Sequence, residues 1–382
     1  MLKNKIKIFI VTLVSIIPII TPAMTAQIHN PVVSPSTYGD QISFVDQRLL
    51  DQTMRHTLQP GDEGPHFHRH IPVREWWYFN VAFDKPDSEL RNWSAMISFN
   101  RLCKMFEEPD MLFITLYDDK NKTYGGVTTG ERGTLQATGP GVNVFFEDSY
   151  AKGEYPLWHV HTNDSYIDQH HRIIIDLYFK AEVLPYWVWG NTGQGLPMSP
   201  FGYYSINSCE VWGTIVLDGG NYTVHGTGYH DHTWALLMIG GSSLVWDWFS
   251  IHFTNGLHGF IWQIFPGTLG SYLHIRPGFG WITDGQNYTD FKVFTLEYLE
   301  SVDTSIPGVT RPHLFKVSSE MFESTLTLRL QTVNMHEYLW GKPPFFDVGL
   351  WEGPCFVTGT LSHDDTHQNL SGIGIAEILR IL

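Results

Sequence analysis

Apolar and polar residues alternate with a period of two in short runs from residue 61 to the end of the chain. Runs rich in β-branched and aromatic residues, bounded by Gly, Pro, Asn and Asp, are typical of β-strands. No segment shows a sustained helical stripe with caps, so the pattern predicts an all-β protein. The predicted strands cover 95–99, 111–117, 142–146, 158–161, 173–179, 222–224, 244–253, 259–265, 272–275, 291–298, 314–317, 325–330, 356–361 and 373–378.

The spacing of these strands predicts barrels, because many short strands separated by turn residues form sandwiches or barrels, and closed barrels have no exposed edges. The chain of 382 residues less a 26-residue leader leaves 356. At roughly 150 residues per domain this length suits two units. The run Gly240-Gly241-Ser242-Ser243 precedes the second series of strands. We predict an extended arm over 27–60 and two β-barrel domains over 61–238 and 239–382.

The first 26 residues have the pattern of a leader for export. Three lysines precede an apolar run over 8–20, and Ala23 and Ala26 are small residues suited to cleavage. The run is shorter than the ~20 residues that a membrane-spanning helix needs. It therefore predicts a secretory signal peptide and an exported protein, with a retained N-terminal anchor as the alternative.

Composition narrows the class of partner. The formal charge is −15, and the 24 Lys and Arg residues form no basic stripe, which excludes a nucleic-acid partner. The cysteines, Cys103, Cys209 and Cys355, include no C-x-x-C pair and are too few for a disulfide framework. Aromatic residues make up 14% of the chain, with 14 tryptophans, which favours a large apolar small-molecule ligand. Oligomeric state and contact with a membrane surface stay open.

Six motifs stand in order along the chain. They are Glu75-Trp76-Trp77-Tyr78-Phe79, Tyr203-Tyr204-Ser205 with Gly213, Gly226-Thr227-Gly228-Tyr229-His230-Asp231-His232-Thr233-Trp234, Trp246-Asp247-Trp248-Phe249-Ser250, Trp351-Glu352-Gly353, and Gly372-Ile373-Gly374 with Glu377. In this order the chain resembles the family of carotenoid 1,2-hydratases, kievitone hydratase, AttH-like proteins and the fungal decalin-forming, Diels-Alderase-like cyclases. The resemblance implies two lipocalin-like (calycin) antiparallel β-barrel domains packed together, with a ligand cavity in or between them. It leaves the reaction open, because the family spans hydratases, cyclases and lipid carriers.

Asp231 is the first candidate for chemistry. Hydrating an unactivated alkene needs a strong acid, and a carboxylic acid in an apolar pocket stays neutral because desolvation raises its pKa. On a strand, Tyr229 points to the same face as Asp231, while His230 and His232 point to the other. The Tyr229 hydroxyl could donate to the Asp231 carboxyl. Tyr229 and His232 are both candidate catalytic residues. The alternative is a buried, hydrogen-bonded strut between the domains, and in either role we expect Asp231 to be buried on a strand.

Glu75 is the second candidate carboxylate, because an acidic residue among aromatic rings is paired or functional. It could act as a second acid or base, or accept hydrogen bonds across the barrel. His230 and His232 share a face, but no third metal ligand is evident, and 66–70, with three alternating histidines, is typical of an exposed segment. We predict no metal and no cofactor.

Aromatic residues in the motifs are the candidate ligand-binding groups, because ring faces stabilise a developing carbocation. They could equally fill two wide barrels. Two functions remain, an enzyme that hydrates or cyclises an isoprenoid- or polyketide-like alkene and a non-catalytic carrier of a hydrophobic ligand. The candidate ligand-binding residues are Trp77, Phe79, Tyr204, Trp234, Trp246 and Trp248.

Overall fold

Antiparallel strands make up almost all of the computed structural model. It describes residues 55–66, 73–101, 109–163, 167–189, 201–236, 244–266, 278–291, 293–321, 324–342, 345–363 and 366–381. Within these ranges the one helix with defined bounds, α1, covers Pro60–Glu63, and every strand pairs with an antiparallel neighbour. None of the helices in the described part of the chain is long and apolar enough to span a membrane.

Two curved sheets divide the strands. The first sheet contains β1 (Val73–Ala82), β2 (Ser94–Arg101), β3 (Asp110–Tyr117), β4 (Thr123–Gly130), β5 (Leu135–Ala137), β6 (Val142–Phe146), β7 (Ser149–Glu154), β8 (Leu157–Thr162), β9 (Ile173–Ala181), β10 (Tyr186–Trp189), β11 (Phe201–Leu217) and β12 (Gly220–Leu236). The second sheet contains β13 (Leu244–Phe253), β14 (His258–Pro266), β15 (Gly278–Thr283), β16 (Tyr288–Asp290), β17 (Val293–Asp303), β18 (Thr310–Met321), β19 (Ser324–Thr332), β20 (His336–Lys342), β21 (Phe345–His363) and β22 (Thr366–Ile381).

The last long strand of each series closes back on the first. In the first sheet the order is β4-β3-β2-β1-β12-β11-β9-β8-β7-β6-β5, with β10 beside β11. In the second it is β16-β15-β14-β13-β22-β21-β19-β18-β17, with β20 beside β21. The first sheet forms a nearly closed barrel and the second a half-barrel, so the prediction of an all-β fold built on barrels is confirmed.

Three apolar clusters fill this architecture. One lies inside the first sheet and includes Trp77 and Trp234, and another lies inside the second and includes Phe249 and Trp351. The third joins residues of both sheets and is called here the inter-sheet layer. Its buried members are Tyr78, Met96, Met111, Phe113, Tyr117, Tyr186, Tyr203, Tyr229, Trp248, Phe260, Trp262, Ile264, Trp281, Tyr338, Leu350, Ile375 and Leu379.

The strand predictions are confirmed at different precision. The runs at 142–146 and 244–253 coincide with β6 and β13, whereas β12 extends far beyond the predicted 222–224. The prediction for 291–298 begins too early, because β17 starts at Val293. The run at 272–275, the leader, the arm up to residue 54 and the boundary near 238 lie outside the described residues.

Candidate functional site

The alternation of side chains along β12 separates two sets of candidate residues. Tyr229 belongs to the inter-sheet layer, whereas Trp234 belongs to the core of the first barrel. Asp231 shares its face with Tyr229, two residues away, and is only 4% exposed. The predicted burial of Asp231 on a strand is therefore confirmed, and this carboxyl lies against the layer between the two sheets.

A hydrogen-bonded chain holds one oxygen of Asp231. The hydroxyls of Tyr229 and Tyr203 donate to Oδ2 over 2.9 and 3.1 Å. The Tyr203 oxygen in turn accepts a 2.9 Å hydrogen bond from the indole N–H of Trp248, on the second sheet. Oδ1 has no hydrogen-bond partner within 3.5 Å among the described residues, and the Trp76 side chain interacts with the carboxyl so as to lower its pKa.

Burial decides the protonation state of this carboxyl. Desolvation raises the pKa of Asp231 to about 8, against the lowering effect of the two tyrosine hydroxyls. The group is therefore mainly neutral at pH 7. Because both tyrosines donate to Oδ2, the proton is assigned to Oδ1.

Glu75 lies on the opposite face of the sheet and forms a separate polar cluster. Its Oε1 lies 2.8 Å from Nε2 of His232 and accepts the backbone N–H of His66 over 2.9 Å. Nδ1 of His232 lies 3.1 Å from the carbonyl oxygen of Asp62, and burial lowers the pKa of His232 although Glu75 acts to raise it. Although burial acts to raise it, hydrogen bonds from His232 and His66 hold the pKa of Glu75 at about 2.

This cluster lies inside the first barrel, away from Asp231. Atoms of His66, Glu75 and His232 lie within 4.8 Å of one another, which makes them the described residues that could group around a metal ion. Their ring nitrogens and carboxylate oxygens are engaged with each other, and the His66 ring stacks on Trp234 at 3.6 Å. The expectation of an exposed histidine segment is wrong for His66, while 67–70 lie outside the described residues.

The candidate ligand-binding aromatics divide between two places. Trp77, Phe79, Tyr204 and Trp234 are fully buried in the core of the first barrel. Trp77 stacks on His232 and Phe79 on His230, at 4.6 and 4.2 Å between ring centroids. The alternation of β1, β11 and β12 that turns Asp231 outward turns these rings inward, so they do not meet it. Trp248 is in the inter-sheet layer, and Trp246 packs against it.

The side chains that face Asp231 include residues to which the sequence analysis assigned no role. Tyr78 is the β1 partner of Asp231, and its hydroxyl donates to Glu352 on the second sheet. Glu352 is paired directly with Glu377 on the neighbouring strand, and the indole of Trp246 donates to Glu377. The alternation of Glu75-Trp76-Trp77-Tyr78-Phe79 already separated Tyr78 from Trp77, but nothing local indicated the second-sheet carboxyls.

Comparisons with known proteins agree with this architecture. The family model described as AttH-like matches residues 52–378. A crystal structure of a putative AttH from Nitrosomonas europaea is 15% identical, with a TM-score of 0.63 over 92% of this chain and 100% of that one. Kievitone hydratase from Nectria haematococca is 14% identical, with a TM-score of 0.60 over 86% of this chain and 94% of that one.

A third solved structure, CghA with Sch210972, is 10% identical, with a TM-score of 0.53 over 86% of this chain and 97% of that one. At these identities the likeness concerns the fold. No curated protein matches the chain.

Proposed function

The chain belongs to the AttH-like family, and from that membership we propose that it protonates an alkene of an apolar, isoprenoid- or polyketide-like substrate and so hydrates or cyclises it. Asp231 is the acid. The observation that carries the proposal is Oδ1 of Asp231, which is buried and has no hydrogen-bond partner among the described residues. The fold shared with a protein named as a hydratase supports hydration as the reaction.

The surroundings of Asp231 suit proton transfer to carbon. At neutral pH a solvated carboxyl has already lost its proton. A carboxyl whose pKa is raised by an apolar layer still has a proton to give to an alkene. Protonation leaves a tertiary cation, and each ring face turned towards it contributes roughly 0.5–2 kcal/mol. Tyr78, Tyr229 and Trp248 supply such rings within one network, since their centroids are 5.1 to 6.1 Å apart.

Export belongs to the same proposal, because the basic start and apolar run of the first 26 residues are typical of a secretory signal. The substrate would then be met outside the cytoplasm. Mass spectrometry of the N-terminus of protein recovered from the periplasm or medium tests this. A full-length N-terminus in the cytosolic fraction alone would contradict export.

Turnover of defined alkenes tests the reaction. Purified protein is incubated with farnesol, squalene and a dimethylallyl-substituted phenol, and products that gain one water or form a ring are detected by mass spectrometry. Asp231→Asn should reduce turnover by about 10²–10⁴. Asp247→Asn is the matched control, because it removes a buried carboxyl paired with Arg380 and outside the inter-sheet layer. A folded protein that retains an apolar molecule but converts no alkene would be a carrier.

A further inference from the structure

Two carboxyl groups stand side by side on the second-sheet wall of the inter-sheet layer. Glu352 on β21 and Glu377 on β22 are direct cross-strand partners. Both belong to motifs to which the proposed function gives no role. The residues that share their faces, Leu350, Ile375 and Leu379, are members of the inter-sheet layer. Alternation therefore turns both carboxyls towards the first sheet and Asp231.

Close packing of β22 on β13 sets the position of Glu377. A Cβ on Gly374 would lie 2.1 Å from the carbonyl oxygen of Ser250, so only glycine allows this approach. The resulting register places Glu377 opposite Trp248. Because the Trp248 indole donates to Tyr203 and Tyr203 donates to Asp231, Glu377 lies beside a side chain only two hydrogen bonds from the acid.

The two glutamates have different partners. Glu352 is 1% exposed, its carboxyl accepts the Tyr78 hydroxyl, and its backbone oxygen accepts the Tyr117 hydroxyl over 3.0 Å. Burial raises the pKa of both carboxyls, and the charge of Glu377 raises that of Glu352 as well. Like charges on directly paired residues do not readily ionise together, so the pair holds at most one negative charge.

Unpartnered polar atoms in the same layer point independently to a ligand with a polar part. The Ser250 hydroxyl is 1% exposed, lies on the same face as Trp248, and has no hydrogen-bond partner among the described residues. The Thr233 hydroxyl, on the face of Asp231, and the side-chain nitrogen of Asn207 are also buried and have no hydrogen-bond partner among the described residues. Buried polar groups in native proteins are almost always satisfied. The layer therefore has hydrogen-bonding positions for a water or a substrate oxygen.

We propose that Glu377 is the general base that removes a proton from the water adding to the substrate cation, with the Ser250 hydroxyl hydrogen-bonding that water. The inference rests on the proposed function, since it assigns the second half of the same reaction. Ser250 is paired across β13 and β22 with Ile375, two residues before Glu377, which makes the two side chains diagonal neighbours on one face.

The atoms of this reaction balance without any further reactant. Asp231 gives its proton to one alkene carbon, so a C–H bond forms as the π bond breaks. The water oxygen bonds to the cationic carbon, and one water proton passes to Glu377. Transfer of that proton through hydroxyl groups or solvent back to the Asp231 carboxylate restores both groups. The acid belongs to the first sheet and the base to the second.

Reactions in D2O separate the two halves of this chemistry. With farnesol, squalene and a dimethylallyl-substituted phenol, the wild-type protein should form products with one C–D bond and one added hydroxyl. Glu377→Gln should still place deuterium on carbon, as exchanged or isomerised alkene, but form the hydrated product about 10²-fold more slowly. Glu297→Gln removes an exposed carboxyl from β17 and should match the wild type.

The ratio of deuterium exchange to hydration is the decisive readout, because a merely structural role would lower both rates together. A folded Glu377→Gln variant that hydrates at the wild-type rate, or that loses both rates equally, would overturn the base assignment and leave the proposed function standing. Wild-type protein that incorporates no deuterium would overturn the proposed function and the inference with it. If Glu377→Gln does not fold, Ser250→Ala takes its place and should raise the same ratio about tenfold.

Discussion

Replacing Asp231 by asparagine should lower activity and, at alkaline pH, raise stability. The pKa of this carboxyl is 3.8 in its ordinary state and about 8 in the folded protein, because burial disfavours its charge. Below pH 3.8 both the folded and the unfolded protein carry the proton, and the carboxyl makes its full contribution to stability. As pH rises towards the higher value, only the unfolded state releases the proton, so the free energy of unfolding falls. Asparagine does not titrate.

The size of the effect follows from the width of that window. Between about pH 5 and about pH 8 the wild-type protein loses roughly 1.4 kcal/mol per pH unit through Asp231, or about 4 kcal/mol in all. Against this, asparagine mispairs a buried group at a pH-independent cost of about 1–3 kcal/mol. The difference in unfolding free energy between variant and wild type should therefore move by about 4 kcal/mol in favour of asparagine across the window.

Urea denaturation of both proteins at several pH values measures this difference. All other titrating groups are shared, so their contributions cancel in the comparison. A difference that stays constant between about pH 5 and pH 8 would mean that Asp231 is charged in the folded protein, and the argument for a neutral acid would fail.

Four further substitutions test the division between the barrel interior and the inter-sheet layer. Glu75→Gln should cost about 1–3 kcal/mol, since it mispairs the buried hydrogen bonds to His232 and His66, but turnover per folded molecule should be unchanged. Denaturation curves and rates measured together would expose a catalytic role. Tyr229→Phe removes a donor that lowers the pKa of Asp231, so turnover should fall about tenfold and the alkaline limb of its pH profile should move to higher pH. Tyr204→Phe, inside the barrel, should leave the pH profile in place. Trp77→Ala should destabilise the fold by about 3–5 kcal/mol, and a variant as stable as wild type with reduced ligand binding would show that this ring contacts ligand after all.

Local patterns predicted many of the strands, although not β4, β5, β7 or β11, and they predicted the surroundings of Asp231 on its own strand. The period of two placed Tyr229 beside Asp231 and the two histidines on the reverse face, and the structure has this arrangement. Alternation is a property of neighbouring residues, so it needs no knowledge of tertiary structure.

The pattern could not say which face of β1 points into the barrel. Trp77 and Tyr78 are equally aromatic, and only the closure of the first sheet and its packing on the second decide that Trp77 fills a core while Tyr78 meets Glu352. The roles of Glu352 and Glu377 could not be predicted from their motifs for the same reason. Their approach to Asp231 depends on contacts between strands far apart in the chain, which no local periodicity encodes.

Transfer of deuterium to carbon by matched amounts of folded wild-type and Asp231→Asn protein tests the role of Asp231 most directly. Single turnovers in D2O, with farnesol, squalene and the dimethylallyl phenol, measure proton donation before any later step. The wild-type protein should form one C–D bond per product, and the asparagine variant should form it about 10²–10⁴ times more slowly. Equal rates of C–D formation in the two folded proteins would contradict the assignment of Asp231 as the acid.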